Sequence, residues 1–469
     1  MPGWQRGRLL IRQIPVRVRP NESFRPAWLL YAQPSGKGLV SGIMMSVKAI
    51  RRIDRWIGIP ICFALTGLRR LIERGKHAHV PRLRAILFLK LAEQGSTVLV
   101  CDAIRRAIGL VGRDNVYFLV FEENRFILDV MALLPRENVL AIRRDNLLTA
   151  ALDTLRAVRS LRKRRINATI DCEFFARFSA AISFLIGSDY RVGLHAAGGE
   201  GPYRGDLMTH RLRYNPYLHT AETFRVMVEA LTFAPTDLAP LDMKPALASD
   251  SLPIFEPTRA EVLEVQALLR KAARTEAPLS LILLNPNCSD LLPLRRWPVE
   301  KYVELGRRLT ARYPGLHVAL TGQPSEAQGA AALTQEIGSE RCFSLAGRTT
   351  LRQLLVIFGL ADVLVTNDSG PAHFAALTPI DVVTLFGPET PQLYQARTPR
   401  SHVFWAQLAC SPCVSPLNHK QSSCQNNLCM QRIEVDTVFD KVCEIYEARI
   451  NAQAVANCNH RVGRLQVGV

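Results

Sequence analysis

The sequence predicts an α/β protein made of two Rossmann-like, doubly wound parallel-sheet halves that face each other across a cleft. Two observations carry this prediction directly. Short apolar runs alternate with helical periods from Ala85 to Leu194, and the same alternation resumes from Leu279 to Phe386. Between the two series lies Thr232–Pro257, which holds five prolines and few runs and so reads as the linker. Length agrees, since 469 residues are too many for one ordinary core, and 48% hydrophobic with 21% charged residues describe a folded chain.

In chain order, residues 1–49 are Arg- and Pro-rich without a sustained period and read as a disordered basic extension, with Met44 or Met45 as an alternative start. Residues 50–80 follow as a basic-apolar segment. Its 13-residue run from Trp56 to Leu68 lies between Arg51, Arg52 and Arg55 on one side and Arg69, Arg70, Arg74 and Lys76 on the other. A membrane-crossing helix needs about 20 apolar residues, so the segment is either a core helix with a solvated basic rim or a helix lying in a membrane interface; the double basic flank and Trp56 favour the interface. Residues 81–245 form the first half, with strands expected at Ala85–Leu89, Val116–Phe121, Val139–Arg143, Ala168–Cys172 and Tyr190–Leu194 and helices at Thr97–Ile108, Arg125–Leu134, Leu147–Leu161 and Phe174–Leu185. Residues 246–440 form the second. A capping box, Thr258 to Glu261, opens its first helix, and strands are expected at Leu279–Leu284, His317–Thr321, Cys342–Leu345, Asp362–Thr366 and Asp381–Phe386. Residues 441–469 are a last helix and tail, the helix spanning about Val435–Arg449 and crossing back to the first half.

A net charge of +18 calls for an acidic partner. Nucleic acid is excluded by motif, because no helix-turn-helix spacing, zinc-finger His pair or aromatic ribonucleoprotein motif occurs. An anionic membrane surface and phosphorylated substrates remain. Eleven cysteines are too sparse for a disulfide scaffold and no cleavable leader is evident, so a reducing cytoplasm is expected.

The stretch Asp362–Thr390 is the most informative. Two buried strands flank a turn, Asn367-Asp368-Ser369-Gly370-Pro371, and a short helix. Gly370 admits a close backbone approach, and Pro371 suits the first helical turn, leaving free N–H groups aimed at an anion. A second such loop follows Leu279–Leu284: Asn285-Pro286-Asn287, then Arg295-Arg296-Trp297-Pro298. Both loops lie at the carboxyl ends of parallel strands, where these sheets bind ligands.

These residues resemble the nucleotide-sugar signature of glycosyltransferase family 9, whose best-known members are the lipopolysaccharide heptosyltransferases. The matching positions are Asp368, Ser369, Gly370, His373, Ala375, Ala376, Phe386, Gly387 and Pro388, and the resemblance runs from about Ile50 to Tyr446. It implies a GT-B fold with acceptor in the first half and donor in the second. It also implies an inverting, metal-independent transfer of a sugar, heptose from ADP-heptose, to a lipid-linked saccharide of the lipopolysaccharide core on the cytoplasmic membrane face. The alternatives are a nucleotide-sugar epimerase of the same fold and a silent membrane-docked scaffold. On the donor side the resemblance assigns Asn285, Arg295 or Arg296, Asn367, Asp368, Ser369, Gly370, His373 and Gly387 to the diphosphate. Arg295 and Arg296 are alternatively a surface pair over a packed Trp, and His373 is alternatively a histidine merely capped in its helix.

On the acceptor side the resemblance expects an Asp after a Gly as general base. Here Gly95 is followed by Ser96, which cannot serve alone, so the nearest carboxylate, Glu93, is the candidate; its bland role is a loop residue or a partner for Lys90. Gly198–Gly205 reads as a mobile loop, with contact to the acceptor as the other reading. No Asp-x-Asp occurs, so no cofactor is expected for catalysis. Cys410, Cys413, Cys424 and Cys429 have spacing close to that of a four-thiolate structural zinc site, with free thiols or disulfides as the other reading.

Overall fold

The computed structural model describes residues 54–73, 79–196, 201–235, 252–288 and 292–465. The expectations for residues 1–49, for the basic residues at 51, 52, 74 and 76, for 198–200 and for most of the linker fall outside these residues. The first half carries strands β1 (Ile86–Leu89), β2 (Val116–Phe121), β3 (Val139–Ile142), β4 (Ala168–Asp171), β5 (Tyr190–Leu194) and β6 (His210–Leu212). Its helices are α1 (Gly58–Ile72), α2 (Gln94–Val98), α3 (Cys101–Val111), α4 (Arg125–Met131), α5 (Leu147–Lys163), α6 (Arg177–Ile186) and α7 (Thr220–Glu229). The second half carries β7 (Ser280–Asn285), β8 (Leu316–Leu320), β9 (Cys342–Ser344), β10 (Val363–Asn367), β11 (Asp381–Phe386) and β12 (Ser401–Trp405). With them come α8 (Arg259–Ala273), α9 (Val299–Arg312), α10 (Ala327–Ile337), α11 (Leu351–Leu360), α12 (Gly370–Ala375), α13 (Pro391–Tyr394), α14 (Leu428–Gln431) and α15 (Val435–Leu465).

The two sheets repeat one topology. The first runs β3-β2-β1-β4-β5-β6 and the second β12-β11-β10-β7-β8-β9, which is the same 3-2-1-4-5-6 order counted from each half's first strand. All pairings are parallel. Every residue of β1, β4 and β10 is buried, as a strand covered by helices on both faces requires; β1 is apolar throughout, while β4 and β10 also carry buried polar residues, Thr169, Asp171, Thr366 and Asn367. The order reverses between β1 and β4, and again between β7 and β10. Each reversal opens a crevice at the carboxyl ends of those strands.

Two edge strands go beyond the sequence expectation. β6 has three residues, and every residue of β12 is only half-buried, so neither shows the two-sided apolar run of a central strand. The helix expected at Thr97–Ile108 divides into α2 and α3 around Leu99–Val100. The capping box forms: Thr258 Oγ1 accepts from Glu261 N at 3.3 Å and Glu261 Oε2 from Thr258 N at 2.8 Å. The last helix does not cross back as far as residue 449. Tyr446 pairs with Ser280 at 2.7 Å and Arg449 Nε donates to Asp381 at 2.8 Å, holding it on the second half.

Helix α1 lies along α6. Asp54 caps α6, accepting from the backbone N–H of Arg177 and of Phe178 at 3.0 Å each, and at the far end Glu73 pairs with buried Arg191 at 2.7 Å. The contact beneath is tight. Gly205, at φ +73°, passes so near α1 that a Cβ there would lie 2.8 Å from the Cys62 carbonyl. Only Cys62 and Thr66 of α1 are buried, whereas Trp56 is 74% and Phe63 73% exposed.

Candidate active site

The two crevices face each other, and the loops that leave β1, β4, β7, β10 and β11 line the space between them. On the second half the frame is built around Asn367, which is fully buried at the end of β10. Its Oδ1 accepts from Trp297 N at 3.0 Å and Tyr302 OH at 3.2 Å, while its Nδ2 donates to the carbonyls of Pro286 at 3.0 Å and Asn287 at 3.3 Å. One amide thus ties the end of β10 to both ends of the loop that joins β7 to α9. Trp297 is buried and donates from its indole to the Ile433 carbonyl at 2.9 Å, so the backbone before it is held and Arg295 is aimed inward. Asn285 closes its own turn, accepting from Asn287 N at 3.1 Å.

Arg295 then meets two acids. Its Nη1 donates to the Asp368 carbonyl at 3.1 Å, its Nε lies 3.5 Å from Asp368 Oδ2, and its Nη2 pairs with Glu389. Glu389, 1% exposed, follows β11 in the Gly387-Pro388 turn. Burial pushes the Asp368 carboxyl above the usual carboxylate range against the pull of Arg295. Ser369 begins α12 in an extended conformation and donates to the Asn367 carbonyl at 3.1 Å. His373 is buried one turn on; burial pushes its imidazole down to about 3, and among the described residues its Nδ1 has no hydrogen-bond partner. The Arg296 carbonyl accepts from Asn427 at 2.8 Å. Gly387 serves packing: a Cβ there would lie 2.4 Å from Met430 Sδ and 3.1 Å from Cys429 Sγ.

On the first half, Glu93 leaves the end of β1 at φ +65°, a conformation non-glycine residues seldom adopt. Ser96 steadies this turn by donating its hydroxyl to the Glu93 carbonyl at 2.9 Å. The Glu93 carboxylate points into the cleft, 39% exposed, and meets Lys420 Nζ of the second half at 2.8 Å. Lys420 first, and Lys90 and Arg295 behind it, hold the Glu93 carboxyl well below the usual range against the desolvation of the cleft. Lys90 itself is buried and pairs with Glu173 at 3.3 Å, and Asp171 beside it pairs with buried Arg204. Directly below, α2 abuts α12: a Cβ on Gly95 would lie 2.8 Å from His373 Cδ2 and 3.0 Å from Gly370 Cα.

The structure therefore brings Glu93, Gly95, Ser96, Arg295, Asp368, Ser369, Gly370 and His373 together. Sequence reasoning missed Glu389 and Lys420. Glu389 stands one residue past the recognised Gly387-Pro388 turn, at a strand's carboxyl end, and that position was a usable signal. Lys420 sits in an aperiodic loop and gave none.

The structure gives the zinc reading no support. Among the described residues no three His, Cys, Asp or Glu side chains are grouped so as to hold a metal ion, and all four cysteines are free. Cys410 is exposed and Cys429 is buried against Gly387, so the motif's ends face different surroundings. Cys413 accepts from the Ser422 hydroxyl at 3.3 Å. Backbone hydrogen bonds from Cys413 and Val414 to the Pro388 carbonyl, at 3.0 and 3.1 Å, hold the loop against the Gly387-Pro388 turn.

Two facing Rossmann-like sheets with a cation-lined cleft define the GT-B class, and comparison with known proteins narrows it. Residues 155–423, more than half of the chain, match the family model for glycosyltransferase family 9 (heptosyltransferase), so the chain belongs to that family. Lipopolysaccharide heptosyltransferase 2 of Salmonella typhimurium is 34% identical over 102 residues, 21% of this chain and 29% of that protein. Lipooligosaccharide heptosyltransferase 2 of Haemophilus influenzae is 30% identical over 151 residues, 31% of this chain and 43% of that protein. The matched stretches thus span less than half of either curated relative. In fold, the structure of ADP-heptose lipopolysaccharide heptosyltransferase II of Escherichia coli superimposes with a TM-score of 0.59 at 18% identity, over 78% of this chain and 99% of that one. A family 9 glycosyltransferase of Veillonella parvula gives 0.59 at 15% identity, over 79% and 99%.

Proposed function

We propose that this protein is an inverting, metal-independent glycosyltransferase that moves heptose from ADP-heptose to a lipid-linked saccharide of the lipopolysaccharide core. The observation that carries the reading is the Glu93 carboxylate, which projects from the acceptor half toward Arg295 and the start of α12 on the donor half. An inverting transfer needs a base on one side of the reacting carbon and charge neutralisation for the leaving diphosphate on the other. Glu93 takes the acceptor proton, and Arg295 meets the phosphate oxygens with a planar fork. His373, neutral above about pH 3, serves as a hydrogen-bonding group and not as a charge. Asn285 and Asn367 hold the donor loops from beneath, with their side chains engaged inside the protein.

The acceptor's lipid gives α1 its part. No helix among the described residues is long and apolar enough to cross a membrane. Exposed Trp56, Ile57, Phe63 and Leu71 instead make α1 an interfacial helix, with Arg55 and Arg70 exposed beside them, and this supports peripheral docking on the inner face of the cytoplasmic membrane.

The test is incubation with ADP-heptose, with and without a lipid-linked core acceptor. Transfer predicts free ADP, and a product whose new linkage has the opposite anomeric configuration by NMR. A changed free sugar would mean epimerisation, and tight binding without turnover would mean a scaffold; either overturns the reading.

A further inference from the structure

Both members of the cross-cleft ion pair are held in strained backbone. Glu93 has φ +65°, and Lys420 and the residue before it, His419, have φ +55° and +58°. Left-handed conformations at non-glycine residues persist where the surroundings impose them, and they concentrate at functional sites. The loop is built to hold Lys420 there: Ser415 N donates to Asn418 Oδ1 at 2.9 Å, Asn418 Nδ2 to the Cys413 carbonyl at 2.9 Å, and Lys420 N to the Ser415 carbonyl at 2.9 Å. The ammonium ends among acids of both halves, 2.8 Å from Glu93 Oε1 and 3.8 Å from Glu389 Oε1, and it lies 5.3 Å from the centre of the Tyr394 ring. That Glu389 oxygen is buried and has no hydrogen-bond partner among the described residues. Arg295 is already committed to Glu389 and Asp368. Of the two cations meeting the carboxylates here, Lys420 is the one whose main partner lies on the opposite half.

We propose that Lys420 is a shared group: in the empty cleft it pairs with Glu93, and when a nucleoside diphosphate binds it shifts to the phosphates and leaves the Glu93 carboxylate free. This rests on the donor and base roles given above and adds the coupling between them. A carboxylate held by an ammonium is a poor base, because its proton affinity is suppressed. Donor binding supplies competing negative charge within reach of the same ammonium, so the base gains strength only when there is a sugar to transfer. Of the other charged groups facing Glu93, Lys90 is engaged with Glu173, Arg295 meets the phosphates from its place between Asp368 and Glu389, and His373 below is neutral.

Calorimetric titration of ADP into four folded proteins tests this: unmutated, Lys420→Met, Glu93→Gln and the double variant. Lys420→Met should weaken ADP by about tenfold or more, the scale of one charge-assisted phosphate contact. Glu93→Gln should tighten ADP a few-fold by releasing Lys420, and that gain should vanish in the Lys420→Met background. Lys420→Arg should recover part of the lost affinity. Wild-type ADP affinity in Lys420→Met, or an equal Glu93→Gln effect in both backgrounds, overturns the exchange while leaving the transferase reading intact. An unmutated protein that binds no nucleoside diphosphate would instead remove the donor reading itself.

Discussion

At the residue scale, the environment of Glu93 and His373 makes pH-dependent behaviour predictable in sign. Glu93 is held below the usual carboxylate range by Lys420, so the stability of that pair is present above the unfolded value, about 4.3, and is lost as pH falls through the lower folded one. The acid limb of kcat/KM should therefore lie below about pH 4 and move up toward the ordinary value of about 4.3 in Lys420→Met. A limb unmoved by that substitution would mean that another group titrates. Histidine behaves oppositely. Burial takes His373 from 6.5 to about 3 and His219 to about 4, so the unfolded chain gains protons that the folded chain refuses, and stability falls as pH drops from 6.5 toward those values. The urea midpoint should fall between pH 6.5 and 4.5, and His373→Gln should flatten the slope; a midpoint independent of pH would contradict the neutral buried imidazole.

At the scale of elements, the cleft depends on α2 meeting α12 at a residue without a side chain, Gly95. Gly95→Ala places a methyl 2.8 Å from His373 Cδ2 and 3.0 Å from the Gly370 backbone, which cannot yield without separating the halves. Turnover should fall about tenfold or more and stability by about 1–3 kcal/mol, the range for overpacked sites. Gly109→Ala in α3, where nothing lies within 4 Å, should instead be neutral or mildly stabilising. Equal effects of the two, by turnover and urea unfolding, would dismiss the seam. The same scale shows what the sequence could reveal. β1 and the first three residues of β10 were legible because burial on both faces writes an apolar run, and the Thr258–Glu261 box because its chemistry is local. β6 and β12 were not, since β6 has only three residues and β12 is half-buried throughout, so neither carries an apolar pattern. In the cysteine loop the spacing resembles ligation, while backbone bonds to Pro388 and the tight contact at Gly387 are what the fold adds.

At the scale of the whole molecule, two sheets of one topology place their switch points opposite each other, and a chain of +18 can turn an apolar helix toward an anionic surface. Trp56→Glu with Phe63→Glu should lower co-sedimentation with anionic vesicles by about tenfold or more, as expected for two large apolar side chains withdrawn from lipid. Equal binding by the variant would detach α1 from the membrane. The donor loops were readable before the fold because their residues are adjacent in sequence; the Glu93–Lys420 contact was not, because its partners are brought together only when both halves close. Transfer across that closed cleft is tested most directly by single-turnover ADP release from ADP-heptose and acceptor, comparing the unmutated protein with Glu93→Gln. Loss of a positioned base should slow the chemical step by about a hundredfold or more while ADP affinity is retained or improved; near-normal release by the Gln variant would contradict the role of Glu93 and the across-cleft chemistry built on it.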